Sequence, residues 1–209
     1  LVPIASGKFD NSVSSLTLPA DTTAEDIAKL VYFDSLKTID ATNCAITKSL
    51  LDAASSYPDI SFTWSIAGQL IDDSTASLDF SGQTIDSPEA LSLILQTHPN
   101  ITSVSLTDAV ISKASLSALY QDHGNAQLVR MVPIAGRVES CWVESLDLTG
   151  TAVEEAPAIL DALAQFPLLK TVDLTGQPFG MEDMDLFRSE YPDIRFDFSF
   201  QLFSKDVST

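Results

Sequence analysis

A tandem repeat with a period of about 65 residues constrains the fold of this chain more than any other feature of its sequence. A shift of 68 residues aligns Val104 with Val172 without a gap, and an earlier copy aligns with shifts of 62 to 65 residues. The segment Tyr57-Pro58-Asp59-Ile60 returns as Tyr191-Pro192-Asp193-Ile194, and in the middle copy it has decayed to His123-Gly124-Asn125-Ala126. The sequence therefore predicts a single domain over residues 1–209 that contains three copies, at about 14–72, 75–140 and 143–206.

The spacing of apolar residues predicts the order strand, helix, strand, helix, strand in each copy. In the third copy, Leu146-Asp147-Leu148 alternates as a short strand does. Ala156, Ile159 and Leu163 follow at helical spacing. Each copy therefore reads as a βαβαβ unit.

Three local signals mark where helices begin. Pro157 suits the first turn of a helix in the third copy, and Ser87 before Pro88 marks the equivalent start in the second. In the first copy, Thr22 and Glu25 predict a capping box, in which each residue bonds the backbone of the other.

The short strands share a more specific spacing, in which apolar residues fall at the first, fourth, sixth and eleventh positions. The segments with this spacing are Leu36–Ile46, Ile101–Ile111, Val143–Val153 and Leu169–Phe179. The pattern resembles the leucine-rich repeat, whose ninth position carries Asn or Cys. Only Cys44 follows the family at that position, so we expect irregular turns after the strands.

The full repeat unit resembles a divergent leucine-rich-repeat family of secreted and cell-surface proteins from gut Gram-positive bacteria. Residues 57–66, 77–82 and 145–150 carry this resemblance, which spans nearly the whole chain. Members of that family look like secreted or envelope-anchored proteins without a catalytic motif. The resemblance therefore implies an extracellular or cell-envelope location in a bacterium and no catalytic residues.

These observations predict an α/β fold of the leucine-rich-repeat type, a right-handed solenoid in which each strand–helix coil covers the apolar face of its neighbour. About nine strands would form one parallel sheet on the order of 40 Å long, with helices on the outer face. The interval between the strands at Phe62 and Leu78 is too short for a helix, so every third coil should lack one. The alternative is a doubly wound α/β sandwich with helices on both faces.

The charge of the chain excludes several classes of partner. Eleven basic residues against 29 acidic ones give a net charge of −18. A phosphate backbone needs a basic face, so we expect no nucleic-acid partner. No apolar run approaches the length of a membrane span, so we expect no membrane insertion. The strong negative charge favours a monomer. The chain begins at Leu1 without a basic-then-apolar leader, which says nothing about its compartment.

Residues that could carry chemistry read more simply as structural. We expect Cys44 and Cys141 to be buried free thiols, because a stacked solenoid places them too far apart for a disulfide. His98 and His123 occupy helix ends where the third copy has Phe166 and Tyr191. We therefore predict no catalytic residue, no cofactor and no metal site.

Three acidic clusters leave one question open. They are Asp72-Asp73, Glu154-Glu155 and Glu182-Asp183-Asp185. Each falls at a turn or in the first turn of a helix, where carboxylates stabilise the free N–H groups, and none has the spacing of a calcium-binding loop. We interpret them as solvated caps, with Ca²⁺ binding and carboxylate catalysis as alternatives.

The candidate binding surface is the outward face of the predicted strands, which carries small hydroxyl residues. In leucine-rich repeats this face is rigid, extended and the usual binding surface. Its candidate residues are Lys37, Thr38, Asp40, Thr42, Ser103, Ser105, Thr107, Arg130, Met131, Lys170, Thr171, Asp173 and Thr175. The alternative interpretation is that Ser and Thr are merely compatible with strand surfaces.

The sequence thus favours a non-enzymatic extracellular module that binds a protein or glycan partner through its strand face. The first alternative is a passive structural spacer or assembly segment of a larger cell-surface protein. A remote alternative is an acidic, glycosidase-like enzyme with two catalytic carboxylates.

Overall fold

The computed structural model of the protein describes residues 1–123, 127–151 and 155–198. Gly124-Asn125-Ala126, Val153, Glu154 and the end of the third predicted copy lie outside the described residues. The chain divides into two compact units, residues 1–129 and residues 130 onward. The single domain over residues 1–209 stays a prediction.

The first unit contains nine strands, four α-helices and one 3₁₀ helix among its described residues. In chain order they are β1 Val2–Ile4, β2 Gly7–Phe9, β3 Ser15–Thr17, α1 Ala24–Ile27, the 3₁₀ helix Ala28–Tyr32, β4 Thr38–Asp40, α2 Lys48–Ala54, β5 Ser61–Ile66, β6 Gln69–Ile71, β7 Ser77–Asp79, α3 Pro88–Thr97, β8 Ser103–Ser105, α4 Lys113–Asp122 and β9 Gln127–Val129.

The second unit contains five strands and two α-helices in the part that the structure describes. They are β10 Met131–Ile134, β11 Arg137–Ser140, β12 Ser145–Asp147, α5 Ala156–Leu163, β13 Thr171–Asp173, α6 Met181–Glu190 and β14 Arg195–Asp197.

The described strands form five small, separate sheets. Two are three-stranded and parallel, β7-β8-β9 and β12-β13-β14. One is mixed, because β3, β4 and β5 are parallel while β6 pairs antiparallel with β5. The other two are the antiparallel hairpins β1-β2 and β10-β11. The fold is therefore α/β, but the predicted leucine-rich-repeat-like right-handed solenoid with one parallel sheet of about nine strands is wrong.

The antiparallel hairpins are what the solenoid prediction lacked. In β5, Ser61 to Thr63 pair in parallel with β4, whereas Trp64 to Ile66 pair antiparallel with β6. The chain therefore reverses direction at the point where the prediction required another parallel coil. The interval between Phe62 and Leu78, which is too short for a helix, contains this reversal.

The three-residue strands of the parallel ladders bury only their middle side chains, in the pattern exposed or half-buried, buried, exposed or half-buried. These buried residues stand in register across each ladder, because successive side chains of a strand point to opposite faces. The registers are Leu16, Ile39 and Phe62 in the first, Leu78, Val104 and Leu128 in the second, and Leu146, Val172 and Phe196 in the third. Each ladder thus contributes one row of apolar side chains to the core.

Two of the hairpins turn through an Ala-Gly pair. Ala67 and Gly68 connect β5 to β6 with φ angles of 46° and 80°, and Ala135 and Gly136 connect β10 to β11 with 50° and 71°. Two consecutive positive φ angles characterise the type I′ turn, which matches the twist of a hairpin. The isoleucines before the three hairpin turns, Ile4, Ile66 and Ile134, recur at intervals of 62 and 68 residues, the same intervals as the strands.

Two predicted helix starts are confirmed and one is displaced. Ser87 caps α3 and Pro88 is in its first turn, and Pro157 is in the first turn of α5. The capping box of α1 is formed by Thr23 and Asp26, each one residue later than predicted. The shorter Asp side chain reaches the N–H of Thr23 at 3.1 Å, as a Glu at the predicted position was expected to do.

Candidate functional site

The candidate strand-face residues lie on three different sheets rather than on one surface. Lys37, Thr38, Asp40 and Thr42 lie on or beside β4, and Ser103, Ser105 and Thr107 on or beside β8. Lys170, Thr171, Asp173 and Thr175 lie on or beside β13, while Arg130 and Met131 lie at the start of the β10-β11 hairpin. Because each parallel ladder is only three strands wide, the sequence placed together residues that the sheets divide.

A repeated Asp-x-Ser/Thr turn closes the ends of several strands. The carboxylate of Asp40 accepts the hydroxyl of Thr42 at 2.6 Å and its backbone N–H at 3.0 Å. Asp147 accepts the same two groups of Thr149 at 2.6 and 2.9 Å. Such turns mimic a backbone turn with a side chain. Equivalent backbone bonds are accepted by Asp10, Asp72, Asp79 and Asp173.

These hydrogen bonds set the charge state of the turn carboxylates. The hydroxyl and N–H of Thr42 hold the pKa of Asp40 below its ordinary value. Thr149 lowers the pKa of Asp147, and Ser81 lowers that of Asp79, in the same way. Donors aimed at a carboxylate favour its ionised form, so these aspartates are fixed negative charges at the strand ends.

Hydroxyl groups also bond across neighbouring strands. The hydroxyls of Ser81 and Ser105 lie 2.7 Å apart, and Thr171 donates to the hydroxyl of Ser145 at 2.8 Å. Lys170 forms an ion pair with Glu144 at 2.8 Å. The outward face of each sheet is therefore held in position by its own polar side chains.

The candidate residues of the hairpin are less accessible than those of the strands. Arg130 is buried, and its guanidinium donates to the side-chain oxygen of Gln165 at 3.4 Å, while Met131 is half-buried. By contrast, Lys37 and Thr38 are exposed. Of these four candidates, the pair on β4 is the more available to a partner.

Both histidines lie at helix ends and are buried. His98 follows the last residue of α3 and His123 the last residue of α4. The Nε2 atom of His123 lies 2.8 Å from the hydroxyl of Ser92, and burial lowers the pKa of His123 below its ordinary value. These contacts fit the structural role that the sequence predicts.

Both cysteines are buried and free, as predicted. Burial raises the pKa of Cys44, and it raises the pKa of Cys141 to about 12. A thiol reacts as its thiolate, so both side chains are poor nucleophiles at neutral pH.

The acidic clusters act within the fold. Asp72 accepts bonds from Ser74 and Thr75 in a turn, and Asp183 accepts the N–H of Gly180 at the start of α6. Within the described residues, no three His, Cys, Asp or Glu side chains are grouped so that they could hold a metal ion. No helix in the described ranges has the length and apolar character of a membrane span.

The first unit contains a cavity of about 290 Å³ where the first predicted copy meets the second. Leu51, Ala54, Phe62 and Trp64 contribute apolar walls, and His98 contributes a polar group. The sequence analysis missed this site, because its lining residues come from segments that are far apart along the chain.

Comparisons with known proteins do not reveal a family. No protein-family model matches the chain, and no curated protein matches it. Among solved structures, the chain is similar to MenC from Desulfotalea psychrophila LSv54, with 16% identity and a TM-score of 0.21. That match covers 92% of this chain and 47% of the other, and it carries no argument about fold or activity. The leucine-rich-repeat resemblance of the sequence therefore stays a prediction.

Proposed function

We propose that the protein is a non-enzymatic, extracellular binding module that contacts a protein or glycan partner through the outward side chains of its small parallel sheets. The observation that carries this proposal is the fixed geometry of those faces. Asp-x-Ser/Thr turns and cross-strand hydroxyl bonds hold the polar groups in place before a partner arrives. Preorganised groups lose little conformational entropy on binding, which favours affinity.

The net charge supports a narrower class of partner. A chain of charge −18 attracts basic surfaces and repels acidic ones. The lowered pKa values of Asp40, Asp79 and Asp147 keep these strand-end carboxylates ionised. The proposal therefore favours a partner with exposed basic groups, and it keeps the chain itself monomeric through self-repulsion.

Exposed residues on β4 provide the direct test. The double variant Lys37→Ala/Thr38→Ala removes two exposed side chains of the first sheet without touching an Asp-x-Ser/Thr turn. On a protein and glycan array, a partner of the wild-type chain should bind this variant about tenfold or more weakly. The matched control Lys48→Ala/Ser49→Ala changes exposed residues at the start of α2 and should bind as the wild type does. Equal losses in both variants, or no loss in either, would contradict the proposal.

A passive structural segment of a larger surface protein is the second candidate. One observation favours it: the carboxylates and hydroxyls of Asp40, Thr42, Asp147 and Thr149 already satisfy one another. In that case the array would return no partner, and the double variant on β4 would behave like the wild type in every binding assay.

A further inference from the structure

We infer that the cavity beside His98 is a binding site for a small, neutral aromatic molecule that donates one hydrogen bond, of the phenol or indole class. This site is separate from the strand faces and does not depend on the proposed function. All of its lining residues belong to the first unit.

The size of the cavity limits the ligand. Its volume is about 290 Å³, and an apolar cavity of about 150 Å³ is sufficient for benzene. A single ring with a polar substituent or a fused pair of rings therefore fits, whereas a sugar chain or a peptide does not.

The walls favour an aromatic ligand. Phe62 and Trp64 line the cavity with their rings stacked, the centroids 5.8 Å apart and the planes 9° from parallel. Leu51 and Ala54 add aliphatic surface. Aromatic rings pack against such a surface by offset or edge-to-face contact, which contributes beyond the area that is buried.

The hydrogen bonds of His98 determine which group the ligand must supply. The hydroxyl of Thr97 donates to the carbonyl of Leu93 at 3.0 Å, so it can only accept from Nδ1 of His98, which lies 2.9 Å away. The carbonyl of Ile94, 3.3 Å from Nδ1, is also an acceptor. Nδ1 therefore carries the proton of the neutral ring, and Nε2 is left as an acceptor.

This acceptor lies in an apolar setting. His98 is 8% exposed, and Nε2 has no hydrogen-bond partner among the described residues. A buried acceptor without a partner is costly, and a ligand O–H or N–H would satisfy it. Asp73 also lines the cavity, so an anionic ligand is disfavoured there.

The third copy provides a natural substitute for His98. Phe166 occupies the aligned position and is fully buried, so an aromatic hydrocarbon is accommodated at this place in the repeat. The variant His98→Phe should therefore fold while removing the acceptor.

The test is calorimetric titration of the whole chain with phenol, indole, toluene and benzoate, followed in parallel by the NMR signal of the Trp64 indole N–H. We expect 1:1 binding of phenol and indole, about tenfold weaker binding of toluene, which lacks the donor, and no binding of benzoate. In His98→Phe, phenol should bind no more tightly than toluene. The control His123→Tyr, at the other histidine, should bind phenol as the wild type does.

A second variant protects the test against misfolding. Ala54→Leu fills the cavity from the opposite wall and should weaken phenol and toluene alike, with circular dichroism confirming the fold of both variants. The inference is overturned if phenol fails to bind at its solubility limit, if the wild type binds phenol and toluene equally, or if His98→Phe still prefers phenol.

Discussion

The Nε2 atom of His123 and the hydroxyl of Ser92 lie 2.8 Å apart and connect the end of α4 to α3. In the first copy the hydroxyl of Tyr57 donates to the carbonyl of Ala28 at 3.0 Å, and in the third that of Tyr191 donates to Leu160 at 2.9 Å. Each copy therefore joins its second helical segment to its first through a polar side chain just after α2, α4 or α6. Only the middle copy uses a group that titrates near neutral pH.

The variant His123→Tyr should remove a pH dependence from the stability of the fold. Burial holds the pKa of His123 below its unfolded value of about 6.5, so its contribution is present above that pH and is lost as the pH falls toward the folded pKa. We expect the wild type to lose up to about 1 kcal/mol between pH 7.5 and 5.0 through this group. Urea unfolding at both pH values should show a smaller loss for the variant; equal losses would contradict the assignment.

Asp26 should control part of the acid stability. Its carboxylate accepts Lys29 Nζ at 2.6 Å and caps α1 through Thr23, and these bonds hold its pKa well below the ordinary range. The variant Asp26→Asn should cost about 1–2 kcal/mol at pH 7. Because the folded pKa is depressed, this difference is present above about pH 4 and shrinks as the pH falls below it. A difference that stays constant from pH 7 to pH 2.5 would contradict this account.

Replacing the alanines of the hairpin turns by glycine should stabilise the protein. Ala67 and Ala135 have φ angles of 46° and 50°, in the left-handed region that disfavours residues with a Cβ atom. Ala67→Gly and Ala135→Gly should each raise the free energy of unfolding by about 0.5 kcal/mol, after the entropy that glycine gains in the unfolded chain is subtracted. The control Ala118→Gly, at an exposed position inside α4, should lower it by about 1 kcal/mol. Thermal unfolding of the three variants distinguishes these signs.

Removing a turn carboxylate should loosen a strand end. In Asp40→Ala, the N–H and hydroxyl of Thr42 lose their acceptor, and we expect a loss of about 1 kcal/mol in the free energy of unfolding. Asp59→Ala, an exposed aspartate of the same copy, is the matched control and should change stability by less than about 0.5 kcal/mol. Similar losses in both variants would show that the turn bonds contribute nothing specific.

The cysteines should resist alkylation in the folded protein. Cys44 and Cys141 are buried, and burial raises the pKa of both thiols. Iodoacetamide at pH 8 should therefore leave both unmodified in native buffer and modify both in denaturant, as mass spectrometry can show. Rapid native labelling of either residue would contradict its burial.

The positions of many core residues could be predicted from the repeat. Val104 and Val172 were aligned by sequence, and each is the fully buried middle residue of the central strand of its sheet. Ser87 and Pro157 marked helix starts correctly, because N-cap and first-turn preferences depend on local backbone geometry alone.

The hairpins could not be predicted in the same way. Pro133 interrupts the apolar run of β10, and proline lowers the expectation of a strand. The turns use Ala-Gly rather than the Asn-Gly or Asp-Gly pairs that signal a type I′ turn. Without these reversals the strands appeared continuous, and one long sheet was the natural inference.

The polar residues of the candidate face were identified, but their bonding was not. The Asp-x-Thr spacing at Asp40 and Asp173 is visible in the sequence, yet alternation shows only that such residues point outward. Whether the side chains face solvent or bond each other depends on the backbone angles at the strand end. The cavity beside His98 depends on contacts between distant segments, which no spacing rule encodes.

The hairpins also bear on how the gene for this chain grew. Because Ile4, Ile66 and Ile134 recur at the intervals of the strands, each duplicated segment carried its hairpin at the front. Fragments intended for expression of single copies should therefore start before Trp64 or Met131. Starting at residues 75 or 143 would detach the hairpin from the copy with which it was inherited.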